Sequence, residues 1–410
     1  MSTAPTVLHC GHLVDVVAGR VLTGRAVVVT GDRITAIQDS SDTPPPGARV
    51  IDLRDATVIP GLIDLHTHLV GPEGSGDCCG ELTTTGAQQV LEGVRNARTT
   101  VLGGFTTVRD VGTYRAFTDT ALRDAINDGI VPGPRMAAAG AFVTVSSGGG
   151  AIQGLAPDIT LPREFRRGVA GTVDEVRRCV REILHGGADL IKLVATGSVM
   201  TDGTAPGAAE FNEAEMRAAV EEARWYGAHV AAHAHGTEGI KMAVRAGVRS
   251  IEHGSYLDDE GIELMLRHGT YLVPDIWWSD WITAEAAANG WSEEALAKND
   301  EATLVQREAF TKAVRAGVKV AFGTDSGCFP HELRGNQLQT MVDHGMTPLQ
   351  ALASATVTAA ECMGWEDRVG SIAPGKFADI VAVRGDATQD MTAFRDVDFV
   401  MKGGEVLKGP

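Results

Sequence analysis

The segment Val58–His68 reads V-I-P-G-L-I-D-L-H-T-H and predicts a buried strand with two histidines at its carboxyl end. Its apolar residues form a nearly continuous run, which is typical of a strand covered on both faces. Residues i and i+2 of a strand point to the same side, so the imidazoles of His66 and His68 converge. Two such imidazoles can bind one divalent metal ion. The alternative is a pair of ordinary loop histidines, and only further ligands elsewhere in the chain can decide between the two interpretations.

The composition is that of a well-buried globular protein. The chain has 410 residues, of which 44% are hydrophobic and 22% charged, enough for one large domain and a small one. The net charge of -17 argues against nucleic acid or an anionic membrane surface as a partner. None of the six cysteines forms a C-x-x-C pair, so we expect free thiols in a reducing compartment. There is no signal-peptide pattern and no apolar run of about 20 residues, so we expect a cytoplasmic protein that does not cross a membrane.

Both ends of the chain predict short strands. Glycine-containing turns separate apolar runs in residues 5–57, and the same pattern returns in residues 370–410. Each end alone has too few strands to bury a face. We therefore expect the two ends to pair into one small β-sandwich domain, formed by residues 1–59 with residues 366–410.

Between the two ends the hydrophobic period alternates between that of strands and that of helices. Counting these segments gives eight strand-and-helix units over residues 60–365. Eight such units predict an α/β fold, a (β/α)8 TIM-like barrel with its chemistry at the carboxyl ends of the strands. The Gly-rich and Ser-rich loop at residues 140–171 is long for a plain connection, so we expect it to be functional.

Further candidate ligands follow the later predicted strands. The fifth strand ends at His233, the sixth at His253 and the eighth at Asp325. Histidine occurs only 12 times in the chain, so its recurrence at strand ends favours a metal site over chance. Imidazole and carboxylate ligands suit zinc best, although manganese and iron also accept them.

Lys192 lies in the fourth predicted strand, among apolar neighbours. Burial disfavours the charged ammonium and so lowers the pKa of a lysine. A neutral amine can react with carbon dioxide to give a carbamate, whose two oxygens can bridge two metal ions. The alternative is a buried ion pair between Lys192 and a carboxylate such as Asp325 or Asp110.

Together these motifs resemble the amidohydrolase superfamily. The motifs are P-G-L-I-D-L-H-T-H, L-I-K-L, A-A-H-A-H, I-E-H-G and F-G-T-D-S, followed by A-P-G-K-F-A-D-I-V, and they cover essentially the whole chain. Within the superfamily the chain most resembles the imidazolonepropionase-like branch, which includes Xaa-Pro-dipeptidase-like and carboxypeptidase-like enzymes. The resemblance implies a binuclear site: His66, His68 and Asp325 hold one metal ion, His233 and His253 hold the other, and carboxylated Lys192 bridges them.

Two other histidines are candidate substrate contacts. His235 follows His233 on the same face of the strand but lies further into the loop, where it either contacts substrate or is solvated. His331, after the eighth strand, is a similar candidate. Related sequences often contain T-G-G-H-G after the third strand, whereas this chain reads V-S-S-G-G-G there. The role of the missing histidine is either absent or passed to Ser146 or Ser147.

These residues predict a metal-dependent amide hydrolase. A metal-bound hydroxide would attack the amide carbonyl, and Asp325 would carry the proton to the leaving nitrogen. The branch resemblance implies a dipeptide or an N-acyl amino acid as substrate. The alternative is a cyclic amide, as in imidazolonepropionase. A one-metal deaminase fits less well because it needs no lysine in the fourth strand.

A non-catalytic binding protein is the alternative from another class, but it is expected to have lost a ligand, and all six are present. The cluster Trp277, Trp278 and Trp281 either lines an apolar pocket or contacts a second subunit. We expect self-association into a homo-oligomer.

Overall fold

The computed structural model describes residues 4–74, 80–156 and 158–409, except for the side chains of residues 286 and 287. Cys78 and Cys79 lie outside these residues, whereas none of the other four cysteines forms a disulfide with a described residue. In chain order the strands are β1 Thr6–Asp15, β2 Arg20–Thr30, β3 Arg33–Asp39, β4 Arg49–Pro60, β5 Leu62–Thr67, β6 Phe105–Asp110, β7 Arg135–Ala138, β8 Phe142–Val143, β9 Ile191–Val194, β10 Val230–Ala234, β11 Ser250–His253, β12 Tyr271–Val273, β13 Ile380–Arg384, β14 Phe399–Lys402 and β15 Glu405–Lys408. The helices are α1 Gly80–Thr83, α2 Gly86–Leu102, α3 Thr118–Asn127, α4 Val173–His185, α5 Glu213–Trp225, α6 Thr237–Ala246, α7 Asp259–His268, α8 Trp278–Glu285, α9 Glu293–Ala316, α10 Asn336–Asp343, α11 Pro348–Ser354 and α12 Val357–Met363.

The chain forms two compact units. The first comprises Met1–Asp64, Arg98–Val108 and Glu332–Pro410, and the second comprises Leu65–Ala97 and Arg109–His331. No helix in the part of the chain that the structure describes is both long and apolar enough to cross a membrane.

The first unit joins both ends of the chain in one sheet. Its strand order is β15-β14-β13-β4-β1-β2-β3. Strand β13 pairs antiparallel with β4, and Ile380 lies opposite Pro60. Side chains from both ends, including Leu8, Val58 and Phe399, share one buried core. The two ends therefore pair, as their short strands predicted, within this seven-stranded sheet.

The second unit is built from parallel strands and helices. Its strands β12-β11-β10-β9-β8 form one parallel sheet. A further three-stranded sheet of the chain has the order β5-β6-β7. Strands β9, β10 and β11 are in register, so that Lys192 lies opposite Ala231 and Ala234 lies opposite His253. Parallel strands bring their carboxyl ends to one edge, which places the predicted ligands of these strands together.

The eighth predicted strand is not continuous. It forms a single bridge from Val320 to Leu272, and further along the Phe322 carbonyl accepts a hydrogen bond from Leu65 N at 2.9 Å. The segment thus bonds to β12 and to β5 without forming a regular ladder. One reason is Asp325, whose φ of 58° lies outside the range of extended backbone.

The Gly-rich loop at residues 140–171 contains a strand that the sequence did not predict. Strand β8 has only two residues, and its Phe142 lies opposite Lys192 of β9. Gly168 packs so closely on this strand that a Cβ there would lie 1.7 Å from the Phe142 carbonyl oxygen. A two-residue strand is too short to show a hydrophobic period, which is why the prediction missed it.

Candidate metal centre

Four histidines converge at the carboxyl ends of β5, β10 and β11. The ring centroids of His66 and His68 lie 5.7 Å apart. His253 lies 4.9 Å from His66 and 4.4 Å from His233. The strand geometry that the sequence indicated therefore brings all four predicted histidine ligands into one cluster.

Asp325 completes one possible metal-binding group. Its Oδ1 lies 3.5 Å from His66 Nε2 and 3.4 Å from His68 Nε2, and ligand atoms of the three residues all lie within 4.8 Å of one another. Burial opposes ionisation, yet His66 and His68 hold the pKa of Asp325 well below its usual range. Oδ1 is buried and accepts no hydrogen bond from any described residue. A buried, ionised oxygen that accepts no hydrogen bond needs a positive charge beside it, and the two neighbouring imidazoles can bind the same divalent cation. These residues therefore fit a metal ion.

A second group consists of His233, His235 and His253, whose ligand atoms also lie within 4.8 Å of one another. The ring of His235 stacks on that of His253 at 4.6 Å. Burial lowers the pKa of His233 and of His235 well below its usual value, so both rings are neutral, as metal ligands must be. His235, predicted as a substrate contact, is thus also placed where it can bind a metal ion.

Lys192 lies inside the cluster. Its Nζ is 3.3 Å from His66 Nε2, and the residue is 3% exposed. Burial lowers the pKa of this lysine to about 8, although the charges of Glu252 and Asp325 oppose the shift. Within the described chain, Lys192 forms no ion pair with Asp325 or Asp110, which was the alternative reading of its burial.

A buried ion pair supports His66 from behind. Glu252 Oε2 lies 3.0 Å from His66 Nδ1, and Glu252 Oε1 accepts a hydrogen bond from an Arg109 terminal nitrogen at 2.7 Å. Arg109 Nε also donates to the Leu65 carbonyl at 2.6 Å. Both charged side chains are fully buried. Since His66 Nδ1 donates to the carboxylate, its Nε2 keeps the lone pair that faces the cluster.

The other rings are supported in a similar way. His253 Nδ1 lies 2.8 Å from Asp275 Oδ2, and Gln306 Nε2 donates to Asp275 Oδ1 at 2.8 Å. His68 Nδ1 lies 2.8 Å from the Gly112 carbonyl. Sequence reasoning missed these supporting residues. The available signal was an acidic residue inside a buried strand, as in I-E-H-G, but its partners lie far away in the chain.

An open cavity of about 1090 Å³ extends from the cluster. Its apolar wall includes Tyr114 and Phe142, whose rings meet edge to face at 5.2 Å. Trp278 lines the cavity, whereas the neighbouring Trp277 packs on Phe329 at 5.1 Å. Of the tryptophans predicted as a cluster, Trp278 is therefore the one that reaches the site.

Some predicted residues are not brought to this cavity. His331 is buried, its backbone N donates to Glu73 at 2.9 Å, and it does not belong to the described lining. Ser146 and Ser147 line a separate cavity, which is formed by residues of the Gly-rich loop. The lining residues from V-S-S-G-G-G are Gly149 and its neighbour Gly150, which carry no side chain to replace a histidine.

Comparisons with known proteins agree with these motifs. Residues 57–407 match the family model described as the amidohydrolase family. Ochratoxinase from Aspergillus niger is 32% identical over 99% of this chain and 87% of its own length. Imidazolonepropionase from Pseudomonas entomophila is 27% identical over 94% of each chain. A solved Xaa-Pro dipeptidase with methionine bound in its active site is 36% identical, with a TM-score of 0.93 over 99% of this chain and 100% of that chain.

Proposed function

The chain belongs to the amidohydrolase family, and from this we propose that it hydrolyses the amide bond of a dipeptide or an N-acyl amino acid in a metal-dependent reaction. The observation that carries the proposal is the ionised, unbonded Asp325 oxygen beside His66 and His68, at the base of a large cavity. The similarity to a Xaa-Pro dipeptidase supports a dipeptide substrate. The similarity to imidazolonepropionase supports the second candidate, a cyclic amide.

We assign two divalent metal ions, most simply zinc, to the six predicted ligands. Lys192 belongs to the set as a carbamate, because its ammonium would repel cations whereas a carbamate adds negative charge and two oxygens. Formation of the carbamate joins carbon dioxide to Lys192 Nζ and releases one proton. When bound, the metal supplies Lewis acidity, which activates water and polarises a carbonyl oxygen. The proposed ligands are His66, His68 and Asp325 for one ion, His233 and His253 for the other, and Lys192 between them.

The chain's own residues then move protons and hold the substrate. Asp325 is ionised at neutral pH, so it accepts the proton of the attacking water and passes it to the leaving nitrogen. His235 Nδ1 lies 2.7 Å from Ser255 Oγ. If the hydroxyl donates this hydrogen bond, the Nε2–H of His235 donates to the substrate carbonyl oxygen, as an oxyanion hole does.

We further propose that the parallel strands belong to one (β/α)8 barrel, covering residues 60–365. The hydrogen bonds of Leu272 with residues 319 and 321, and of Leu65 with Phe322, support closure between β12 and β5. Residues 1–59 with 366–410 are proposed as a β-sandwich domain. Assembly into a homo-oligomer stays a prediction.

A mixed pool of amides tests the function. The zinc-loaded protein, supplied with bicarbonate, is incubated with dipeptides, N-acyl amino acids and cyclic amides, and the products are identified by mass spectrometry. We expect the release of free carboxy-terminal amino acids, and no release after chelation. A gain of one water by cyclic amides alone would establish the second candidate. A metal-loaded protein that leaves the whole pool intact would contradict both and favour a non-catalytic protein.

Asp325→Asn tests the proton-transfer role within the same assay. We expect kcat to fall by about 10²–10⁴-fold, the usual contribution of a positioned acid or base, while most of the bound metal remains. The control is Asp119→Asn, since Asp119 is also buried but binds Gly140 N at 2.7 Å and does not belong to the described cavity wall. Near-normal turnover of Asp325→Asn would exclude the role.

A further inference from the structure

The cavity wall carries a carboxylate outside the metal centre. Glu81, in α1, is the one acidic residue besides Asp325 in the described lining. Its Oε2 accepts a hydrogen bond from Gln89 Nε2 at 2.7 Å. Gln89 is 1% exposed, and its Oε1 in turn accepts a hydrogen bond from Arg115 Nε at 3.2 Å. The carboxylate is therefore held in place by an ordered neighbour.

No described cation pairs with this carboxylate. The Arg115 guanidinium donates instead to backbone carbonyls, to Thr84 at 2.9 Å and to Glu81 itself at 3.4 Å. The lining contains one lysine or arginine among the described residues, Lys192, which lies in the metal centre. The neighbouring segment 75–79 reads S-G-D-C-C and has no basic residue in its sequence.

The surroundings make this negative charge costly unless a ligand compensates it. Burial raises the pKa of Glu81, while the charge of Arg115 opposes the shift. A second acid, Glu92, acts on it as a like charge. A partly desolvated carboxylate with no ion-pair partner recovers the lost solvation when a cation binds beside it.

The same cavity offers a second feature that suits a cation. Tyr114 and Phe142 line it, and aromatic rings attract ammonium groups. Gly71 leaves space beside the other carboxylate oxygen, because a Cβ there would lie 3.1 Å from Glu81 Oε1.

On the basis of the amide hydrolysis proposed above, we propose that Glu81 binds an ammonium group of the substrate. The preferred substrate class is then a dipeptide with a positively charged nitrogen near the scissile amide, in preference to an uncharged N-acyl amino acid. The charge is either the free α-ammonium or a basic side chain, and both sources offer the same chemistry to the carboxylate.

Three probes with the variant Glu81→Gln test this subsite, and phenylalanine release is measured for each. Alanyl-phenylalanine carries an α-ammonium, N-acetyl-lysyl-phenylalanine carries only a side-chain ammonium, and N-acetyl-alanyl-phenylalanine carries neither. We expect kcat/KM of the variant to fall at least about tenfold for one ammonium-bearing probe, the size of a lost charge-assisted hydrogen bond. The uncharged probe should change less than about twofold. Whichever ammonium probe shows the loss identifies the source of the charge.

The control variant is Glu92→Gln, which removes a nearby negative charge from a residue outside the described lining. It should change kcat/KM of all three probes by less than about twofold. Equal losses for all probes with Glu81→Gln, or no loss for either ammonium probe, would overturn the subsite while leaving the hydrolase function intact. Absence of phenylalanine release from all three probes by the native protein would overturn both proposals.

Discussion

At the scale of single residues, the buried pair of Arg109 and Glu252 controls which nitrogen of His66 faces the metal centre. The carboxylate accepts from the ring on one side and from the guanidinium on the other. Both charges are fully buried, so each depends on the other for compensation. A histidine held in this way cannot rotate or exchange its proton freely, and its metal-facing nitrogen keeps its lone pair.

Glu252→Gln is therefore expected to weaken metal binding by about 10- to 100-fold, because the amide supports His66 less strongly and leaves Arg109 without a counter-charge. The measurement is competition for zinc with a chelator of known affinity. The matched control is Glu222→Gln. Glu222 is 1% exposed and forms an ion pair with Arg181, with 2.6 Å between Nε and Oε1, and neither residue belongs to the metal centre. The control should lower the free energy of unfolding without changing zinc affinity. Equal zinc affinities for native protein and Glu252→Gln would contradict the role.

The sequence predicted the metal ligands but not the buried residues that hydrogen-bond to those ligands. His-x-His and the later strand ends are visible because strand geometry alone places these side chains on one edge. Arg109 and Glu252 are separated by 143 positions, and nothing in one sequence pairs two buried charges at that distance. The unusual feature that could have been noticed is a charged residue in or directly after a predicted strand, namely Glu252 and Arg109.

At the scale of elements, the segment after α9 illustrates how close packing replaces regular strand pairing. A Cβ on Gly323 would lie 2.9 Å from His66 Cβ and 2.3 Å from Val273 Cγ1. The glycine therefore allows the segment to pass directly behind the first histidine ligand. The apolar pattern predicted a strand here, but the left-handed backbone of Asp325 depends on contacts that a hydrophobic period does not report.

Gly323→Ala should lower the free energy of unfolding by about 1–3 kcal/mol, because the added methyl overpacks a filled site. It should also weaken zinc binding, since the clash displaces His66. Urea denaturation and chelator competition measure the two effects. Gly207→Ala is the control, because a Cβ at Gly207 would meet no atom within 4 Å. An unchanged zinc affinity in Gly323→Ala would contradict the displacement of His66 and would show that other neighbouring residues move instead.

At the scale of the whole molecule, buried neutral histidines make stability depend on pH. Burial, with smaller effects from Arg109 and Arg249, lowers the pKa of His229 from 6.5 to about 3. Its Nε2 has no hydrogen-bond partner among the described residues. Between about pH 6.5 and pH 3 only the unfolded chain binds a proton at this position. His229 therefore does not reduce the free energy of unfolding above about pH 6.5, and it reduces that free energy progressively as the pH falls from 6.5 towards 3.

For the metal-free protein, His229 alone should reduce the free energy of unfolding by about 1.4 kcal/mol per pH unit below 6.5. His229→Gln should make the decline correspondingly shallower, as measured by urea denaturation between pH 5 and 7 in steps of about half a unit. His268→Gln, at an exposed position on α7, is the control and should leave the slope unchanged. Identical slopes for the native protein and His229→Gln would contradict the assignment.

The pairing of β4 with β13 also determines when the sheet of the first unit can be completed during synthesis. Pro60 and Ile380 meet in one sheet although they are far apart in the chain. Synthesis proceeds at about 5–20 residues per second, so the amino-terminal strands emerge on the order of tens of seconds before their neighbour. During that interval β4 exposes an unpaired, apolar edge that includes Val58 and Ile59. Until β13 appears, the newborn chain has an open strand edge of the kind that other nascent chains or a chaperone can bind.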